Sequence, residues 1–162
     1  MTYDSQTYSS YELGWQLHSK AGNQSFQAGM YAEARQAYRK AISLAELMLM
    51  TAKKEHHHPE AIHAYVISCH NLADNLLKSD EVQAAETTMQ QALDQVIDLM
   101  YATQYSKCLR FEAAKALKMV SLKAYELYQN LGQSDKAQAV FELAAEQAQT
   151  FFSQMQPHSL ST

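Results

Sequence analysis

The sequence predicts an all-α fold in one domain, since 162 residues, 47% of them hydrophobic, are enough for a core. Three observations predict the helices. Only 4 residues are glycine and 2 are proline, so few positions favour tight turns or interrupt helices. Ala, Gln, Leu, Lys and Glu, which enter helices at little cost in side-chain freedom, are abundant. The third observation is an internal repeat, which indicates one domain over residues 1–156.

A pattern of small and aromatic residues occurs three times. In its first copy, Gly22 lies in one helix, Gly29 lies at the turn and Tyr31 follows the turn. Small residues let two antiparallel helices approach closely, and the large side chains fill the space beside them. Corresponding alanines are separated by 51 and then by 52 residues. The repeated positions are Ala34, Tyr38 and Ala41, then Ala85, Met89 and Ala92, then Ala137, Phe141 and Ala144.

This pattern resembles the tetratricopeptide repeat (TPR). The resemblance implies a right-handed array of three antiparallel helical hairpins, built from six helices. A usual TPR unit has about 34 residues and a proline near its end. Here about 17 further residues separate successive units, and the proline position is not kept. At 1.5 Å per residue the additions lengthen the two helices of a hairpin by about 25 Å in sum, so we expect helices of about 20 residues or more.

The helix boundaries follow from capping signals. Ser9 with Glu12 three residues later forms a candidate capping box for the first helix, and Pro59 suits the first turn of the third. Asp80 and Ser134 are candidate caps for second helices. We expect residues 157–162 to form a flexible tail. The expected helices cover residues 8–28, 30–53, 59–78, 81–104, 107–131 and 134–155, which pair into hairpins over 8–53, 59–104 and 107–155.

Charge and hydropathy exclude several classes of partner. The net charge is −4 and the pI is about 5.9, so no global field attracts nucleic acid or anionic lipid. No apolar run reaches the about 18 residues that span a bilayer, and the first residues lack a signal pattern. We therefore expect a cytoplasmic protein with neither nucleic-acid nor membrane partners. Cys69 and Cys108 are isolated, which argues against a disulfide framework or a cysteine zinc site.

Histidines between residues 56 and 70 are the main candidate for chemistry. Glu60 and His63 form an E-x-x-H pair, which resembles half of a di-iron carboxylate site, but the second half is missing. We therefore expect no metal and no cofactor, and keep a metal or small-molecule sensor built on the segment His56 to His70 as an alternative. The sequence also lacks G-x-S-x-G, H-E-x-x-H, P-loop and G-x-G-x-x-G motifs, so we expect no enzyme.

The TPR resemblance implies where a partner binds. In TPR proteins the first helices of successive hairpins line a concave groove that holds a peptide or a helix. The corresponding residues here mix amides with aliphatic side chains, which suits contacts to a peptide backbone and to aliphatic groups. These groove positions are Gln16, Ser19, Asn23 and Gln27, then Ile67, His70, Asn71 and Asp74, then Met119, Leu122, Lys123 and Glu126.

A carboxylate clamp, which some TPR proteins use to hold a C-terminal tail, is incomplete here. Asn23 and Asn71 stand at its asparagine positions and Lys123 replaces its arginine. Ser19 and Met119 stand where its two lysines are expected. The resemblance therefore argues against a receptor for chaperone tails.

The leading functional hypothesis is a protein–protein interaction module, an adaptor, regulator or co-chaperone that binds a partner peptide or helix in the groove. A secretion chaperone of the type III translocator kind is the alternative within the same fold, although its repeats keep the ordinary length. The stripe Tyr8, Tyr11 and Trp15 is expected to be core rather than an exposed anchor. Apolar residues of the last helix, including Phe141 and Phe152, predict a homodimer through the C-terminal helix.

Overall fold

Six α-helices make up the structure, a computed structural model that describes residues 3–156. Residues 157–162, predicted as a tail, lie outside the described residues. Helices are the only regular elements between residues 3 and 156, which confirms the all-α array of six long helices. The helices are α1 (Tyr3–Gln27), α2 (Tyr31–Glu55), α3 (Ala61–Lys78), α4 (Val82–Tyr101), α5 (Lys107–Asn130) and α6 (Ser134–Met155).

The helices form three antiparallel hairpins, α1 with α2, α3 with α4, and α5 with α6. Each hairpin packs on the next through the pairs α2 with α3 and α4 with α5. The first helices α3 and α5 also pack directly on one another, whereas the second helices α4 and α6 touch only marginally. The first helices α3 and α5 therefore lie in one layer and the second helices in the other, the TPR-like arrangement.

The repeat found in the sequence is the packing repeat of the structure. Ala34, Ala85 and Ala137 are fully buried, as the pattern predicts for residues that set the distance between helices. The first helices end at Gln27, Lys78 and Asn130, again 51 and then 52 residues apart. Positions in different hairpins can therefore be compared at these two offsets.

All three hairpin turns have the same backbone conformation. Gly29, Asp80 and Gly132 occupy equivalent positions with φ of 75°, 58° and 72°. Glycine adopts this left-handed conformation freely, and aspartate is among the few other residues that tolerate it. A backbone hydrogen bond of the Schellman type closes each turn, from Met30 N to Ser25 O, Glu81 N to Leu76 O and Gln133 N to Tyr128 O, at 2.8, 2.9 and 2.8 Å.

The predicted capping residues are wrong. Ser9 lies inside α1, because no residue before it breaks the helix, and α1 begins at Tyr3. Asp80 is used by the left-handed turn, and the caps of α4 and α6 are Glu81 and Gln133, neither with a side-chain cap bond. The side-chain cap of α5 is instead the hydroxyl of Ser106, which accepts from Leu109 N at 3.2 Å.

The N-terminal aromatic stripe belongs to the core, as predicted. Tyr8 is 2% exposed, and its ring stacks on that of His58 with centroids 3.7 Å apart. Trp15 is half-buried and donates its indole N–H to Ser68 Oγ at 2.7 Å. The Trp15 contact joins the first hairpin to the second, and the Tyr8 contact packs α1 against the connection between α2 and α3.

Candidate functional site

The central helix α3 is open to solvent along a single stripe. From Ala61 to Leu76 the residues that are not buried are His63, Ile67, His70, Asn71 and Asp74. Their spacing of three and four residues places them on one face of the helix. Four of these five residues are predicted groove positions.

The same stripe continues on α1 and α5. Gln16, Ile67 and Met119 are equivalent in the repeat, as are Ser19, His70 and Leu122, and Asn23, Asp74 and Glu126. None of the twelve predicted groove residues is buried: seven are exposed and five are half-buried. We call these twelve residues the first-helix strip. Exposed apolar area on the strip comes from Ile67, Met119 and Leu122, whose exposed fractions are 38%, 36% and 46%.

Polar groups of the strip are held in place by one another. Lys123 Nζ lies 2.8 Å from Asp74 Oδ1, which joins α5 to α3. Tyr38 donates its hydroxyl to Asn23 Oδ1 at 2.7 Å, so the Asn23 amide group keeps its N–H donors for a partner. Burial raises the pKa of Tyr38, and the charge of Asp74 raises it further, which places Tyr38 close to that carboxylate. The pairing with Asp74 also leaves Lys123 poorly suited to a carboxylate clamp.

A second bridge joins α3 to α5 nearer the start of each helix. His63 Nε2 lies 2.7 Å from Glu112 Oε2, and Lys115 Nζ lies 3.0 Å from Glu112 Oε1. These two hydrogen bonds, that of His63 first, lower the pKa of Glu112. The two bridges fix the relative position of α3 and α5, so the strip is a preformed surface across this pair of helices.

His70 lies along α3 between these bridges. Its Nε2 atom is buried and has no hydrogen-bond partner among the described residues. Burial lowers the pKa of His70 from its ordinary value of 6.5 to about 4; the charge of Lys123 lowers it too, and Asp74 opposes the shift. At neutral pH the side chain is therefore an uncharged, desolvated imidazole in the middle of the strip.

This pKa predicts acid sensitivity. As pH falls from 6.5 to 4, the unfolded chain protonates His70 before the folded chain does, so stability decreases with falling pH by up to about 3 kcal/mol from this group. In His70→Gln the corresponding loss should be absent. Urea unfolding of both proteins at several pH values measures the difference, and parallel pH profiles would contradict the assignment.

The histidines of residues 56–70 do not share one site. His58 stacks on Tyr8, His63 bonds to Glu112, and His70 lies in the strip. Across residues 3–156 no group of three or more His, Cys, Asp and Glu side chains is arranged to hold a metal ion. The structure therefore gives these histidines packing and bridging contacts.

A second open surface lies between α5 and α6. Its cavity of about 440 Å³ has an almost wholly apolar lining. Phe141 and Phe152 border it with 52% and 48% of their area exposed. We call this cavity the C-terminal groove; its lining residues are Ala114, Lys115, Leu117, Lys118, Ser121, Phe141, Ala144, Ala145, Ala148 and Phe152.

Sequence reasoning missed a third feature, on α1. Leu13 and Leu17 are 58% and 59% exposed; together with Met50 at 58% they have the largest exposed fractions among the large hydrophobic residues of the described chain. The signal lay in the repeat, because Leu13 and Leu17 are equivalent to Ala64 and Ser68, which are buried.

Comparison with known proteins places the chain in a family. A family model described as "Protein of unknown function (DUF2753)" matches residues 13–158. The chain belongs to the DUF2753 family. No curated protein matches this DUF2753 chain. Among solved structures, "Crystal structure of MamA protein" is 17% identical, with a TM-score of 0.22, over 89% of this chain and 97% of that one. At that TM-score we draw no conclusion from the likeness.

The match spans all three hairpins of the DUF2753 chain, so the first-helix strip and the C-terminal groove both lie within the family's common region. Among the described helices, none combines the length and the hydropathy of a membrane span.

Proposed function

We propose that the protein is an interaction module that binds a segment of a partner protein, as a peptide or a helix, along the first-helix strip. One observation carries the proposal: α3, buried on its other faces, presents a single open stripe, and that stripe continues at equivalent positions on both neighbouring first helices. A surface that crosses three parallel helices suits an extended or helical ligand.

The chemistry of the strip supports such a ligand. Aliphatic side chains at Ile67, Met119 and Leu122 supply apolar contact area. The Asn23 amide, oriented by Tyr38, supplies N–H donors for backbone carbonyl groups. Because the ion pair of Asp74 and Lys123 is already formed, ligand binding need not desolvate an unpaired charge there.

Two Met→Glu substitutions, one in the strip and one outside it, test the proposal. Met119→Glu places a charge in the apolar part of the strip, and Met50→Glu makes the same change on α2, where Met50 is 58% exposed. Proteins captured by the wild type should be lost with Met119→Glu, with affinity reduced at least about tenfold, and kept with Met50→Glu. Equal capture by both variants would contradict binding through the strip. Circular dichroism of each variant controls for folding.

Adaptor, regulator and co-chaperone roles share this surface, and a secretion chaperone remains the alternative within the same fold. The absence of catalysis, the cytoplasmic location and the homodimer through α6 stay predictions from the sequence.

A further inference from the structure

The interface between successive hairpins repeats within the chain, and each end of the array exposes one half of it. Each internal interface has a donor face on a first helix and an acceptor groove on the preceding hairpin. The donor face of α3 is buried against the first hairpin: Ser68 accepts the Trp15 N–H at 2.7 Å, and Asn75 donates its side-chain amide to Tyr31 O at 3.1 Å. These contacts define which face of a first helix docks.

The equivalent face of α1 is unoccupied by any described part of the chain. On α3 and α5 the docking residues are buried, whereas all four residues on α1 are exposed, two of them leucines. Gln24 even keeps a side-chain amide at the position of Asn75. The equivalent sets are Leu13, Leu17, Ala21 and Gln24 on α1; Ala64, Ser68, Leu72 and Asn75 on α3; and Ala116, Val120, Ala124 and Leu127 on α5.

On the groove side, residues that are covered in the first two hairpins are exposed in the third. Phe141, Ala145 and Phe152 of the C-terminal groove are exposed on α6. Their counterparts on α4, covered by α5, are 0 to 3% exposed, and those on α2, beside α3, are buried or half-buried. These counterparts are Met89, Leu93 and Met100 on α4, and Tyr38, Ile42 and Leu49 on α2. The C-terminal groove is thus the place where a further first helix would dock.

Charge complementarity identifies which helix fits. Across the internal interface Asp74 of α3 pairs with Lys123 of α5 at 2.8 Å. At the C-terminal end the equivalent of Asp74 is Glu126, and at the N-terminal end the equivalent of Lys123 is Lys20. Both side chains are exposed, and in the described part of the chain neither has an ion-pair partner. A second copy of this chain therefore supplies the apolar face of its α1 for the C-terminal groove and its Lys20 as an ion-pair partner for Glu126.

We propose that the protein assembles head to tail, with the α1 face of one copy docked in the C-terminal groove of the next, so that the repeat continues across the boundary. The contact is heterologous, since two different surfaces meet, and it produces an open chain or a closed ring. Leu13 and Leu17 then fill the groove, and Lys20 faces Glu126. An isologous dimer through α6, in which two C-terminal grooves face each other, is the competing arrangement.

A complementation experiment separates the two arrangements. Leu17→Glu blocks the α1 face, and Ala145→Arg blocks the C-terminal groove; both positions are exposed, so folding is preserved. Leu143→Glu and Ala139→Arg make the same changes at other exposed positions of α6 and serve as controls. The masses of wild type, each variant and an equimolar mixture of the two blocked variants are measured by sedimentation velocity over a wide concentration range.

Head-to-tail assembly predicts concentration-dependent species for the wild type and both controls, monomers for each blocked variant alone, and a one-to-one heterodimer in the mixture. A dimer of Leu17→Glu alone, no complex in the mixture, or a wild type that stays monomeric near millimolar concentration would each overturn the proposal. Loss of assembly in either control would also overturn it, because the contact would then lie elsewhere on α6.

A charge exchange tests the register of the contact. Lys20→Glu or Glu126→Lys should each weaken assembly by about threefold to tenfold, and the double variant should return to within about twofold of the wild type. Two losses that simply add in the double variant would overturn the proposed pairing. Lys20 lies outside the first-helix strip, so Lys20→Glu leaves the proposed partner-binding surface intact, and partner capture by this variant distinguishes failure of the assembly from failure of the proposed function.

Discussion

Phe151→Ala should lower the free energy of unfolding by about 3–5 kcal/mol, the largest effect expected for a single substitution here. Phe151 is fully buried near the C-terminal end of α6. Its ring meets those of Tyr101, Phe111 and Phe152 at centroid distances of 6.3, 5.5 and 5.3 Å, mostly edge to face. Removing it leaves a cavity that these three rings, anchored on different helices, cannot close.

The neighbouring residue is the matched control. Phe152 is 48% exposed, and Phe152→Ala should cost less than about 1.5 kcal/mol, since little area leaves the core. Urea unfolding followed by circular dichroism measures both values. Similar losses for the two variants would contradict the assignment of Phe151 as the anchor of α6.

Gly22→Ala should also destabilise the fold, by about 1–2 kcal/mol. A β-carbon at Gly22 would lie 2.5 Å from Tyr38 Cε1 and 2.6 Å from Cδ1, far inside contact distance. The ring cannot easily move, because Tyr38 is 3% exposed and its hydroxyl is bonded to Asn23. An overpacking cost of about 1–3 kcal/mol exceeds the gain of about 0.5–1 kcal/mol that alanine brings to a helix interior.

Gly14→Ala, in the same helix, separates the cost of overpacking from the gain that alanine brings to a helix. A β-carbon there would meet Leu44 Cδ1 at 3.0 Å, and the half-buried end of a leucine can turn aside. The helix preference then dominates, and the variant should be neutral or more stable than the wild type by up to about 1 kcal/mol. If both glycine variants were stabilised, close packing of α1 on α2 at Gly22 would not be a constraint.

The hairpins were predictable because they depend on spacing. Ala34, Ala85 and Ala137 must be small wherever two helices approach, so the period appears directly in the residues. The groove positions came from the TPR resemblance, and all twelve are exposed or half-buried. The third left-handed turn at Asp80 could have been found from the period, since it is equivalent to Gly29 and Gly132.

The pairing of charged groups could not be predicted. His63 with Glu112 and Asp74 with Lys123 are each separated by 49 residues, whereas the repeat in this region is 52. Residues that meet across the pair α3 and α5 are therefore not equivalent positions of the repeat, and the repeat spacing alone does not give their pairing. The start of α1 was missed because a serine three residues before a glutamate is a common pattern, whereas the helix begins at Tyr3 and already includes the buried Tyr8.

The central claim, that the first-helix strip is the binding surface, is tested most directly by methyl NMR of the protein labelled at isoleucine and methionine. A captured partner, added in steps, should shift or broaden the methyl signals of Ile67 and Met119 and leave that of Met50 on α2 unchanged. Shifts confined to Met50, with Ile67 and Met119 unaffected at saturation, would contradict the claim.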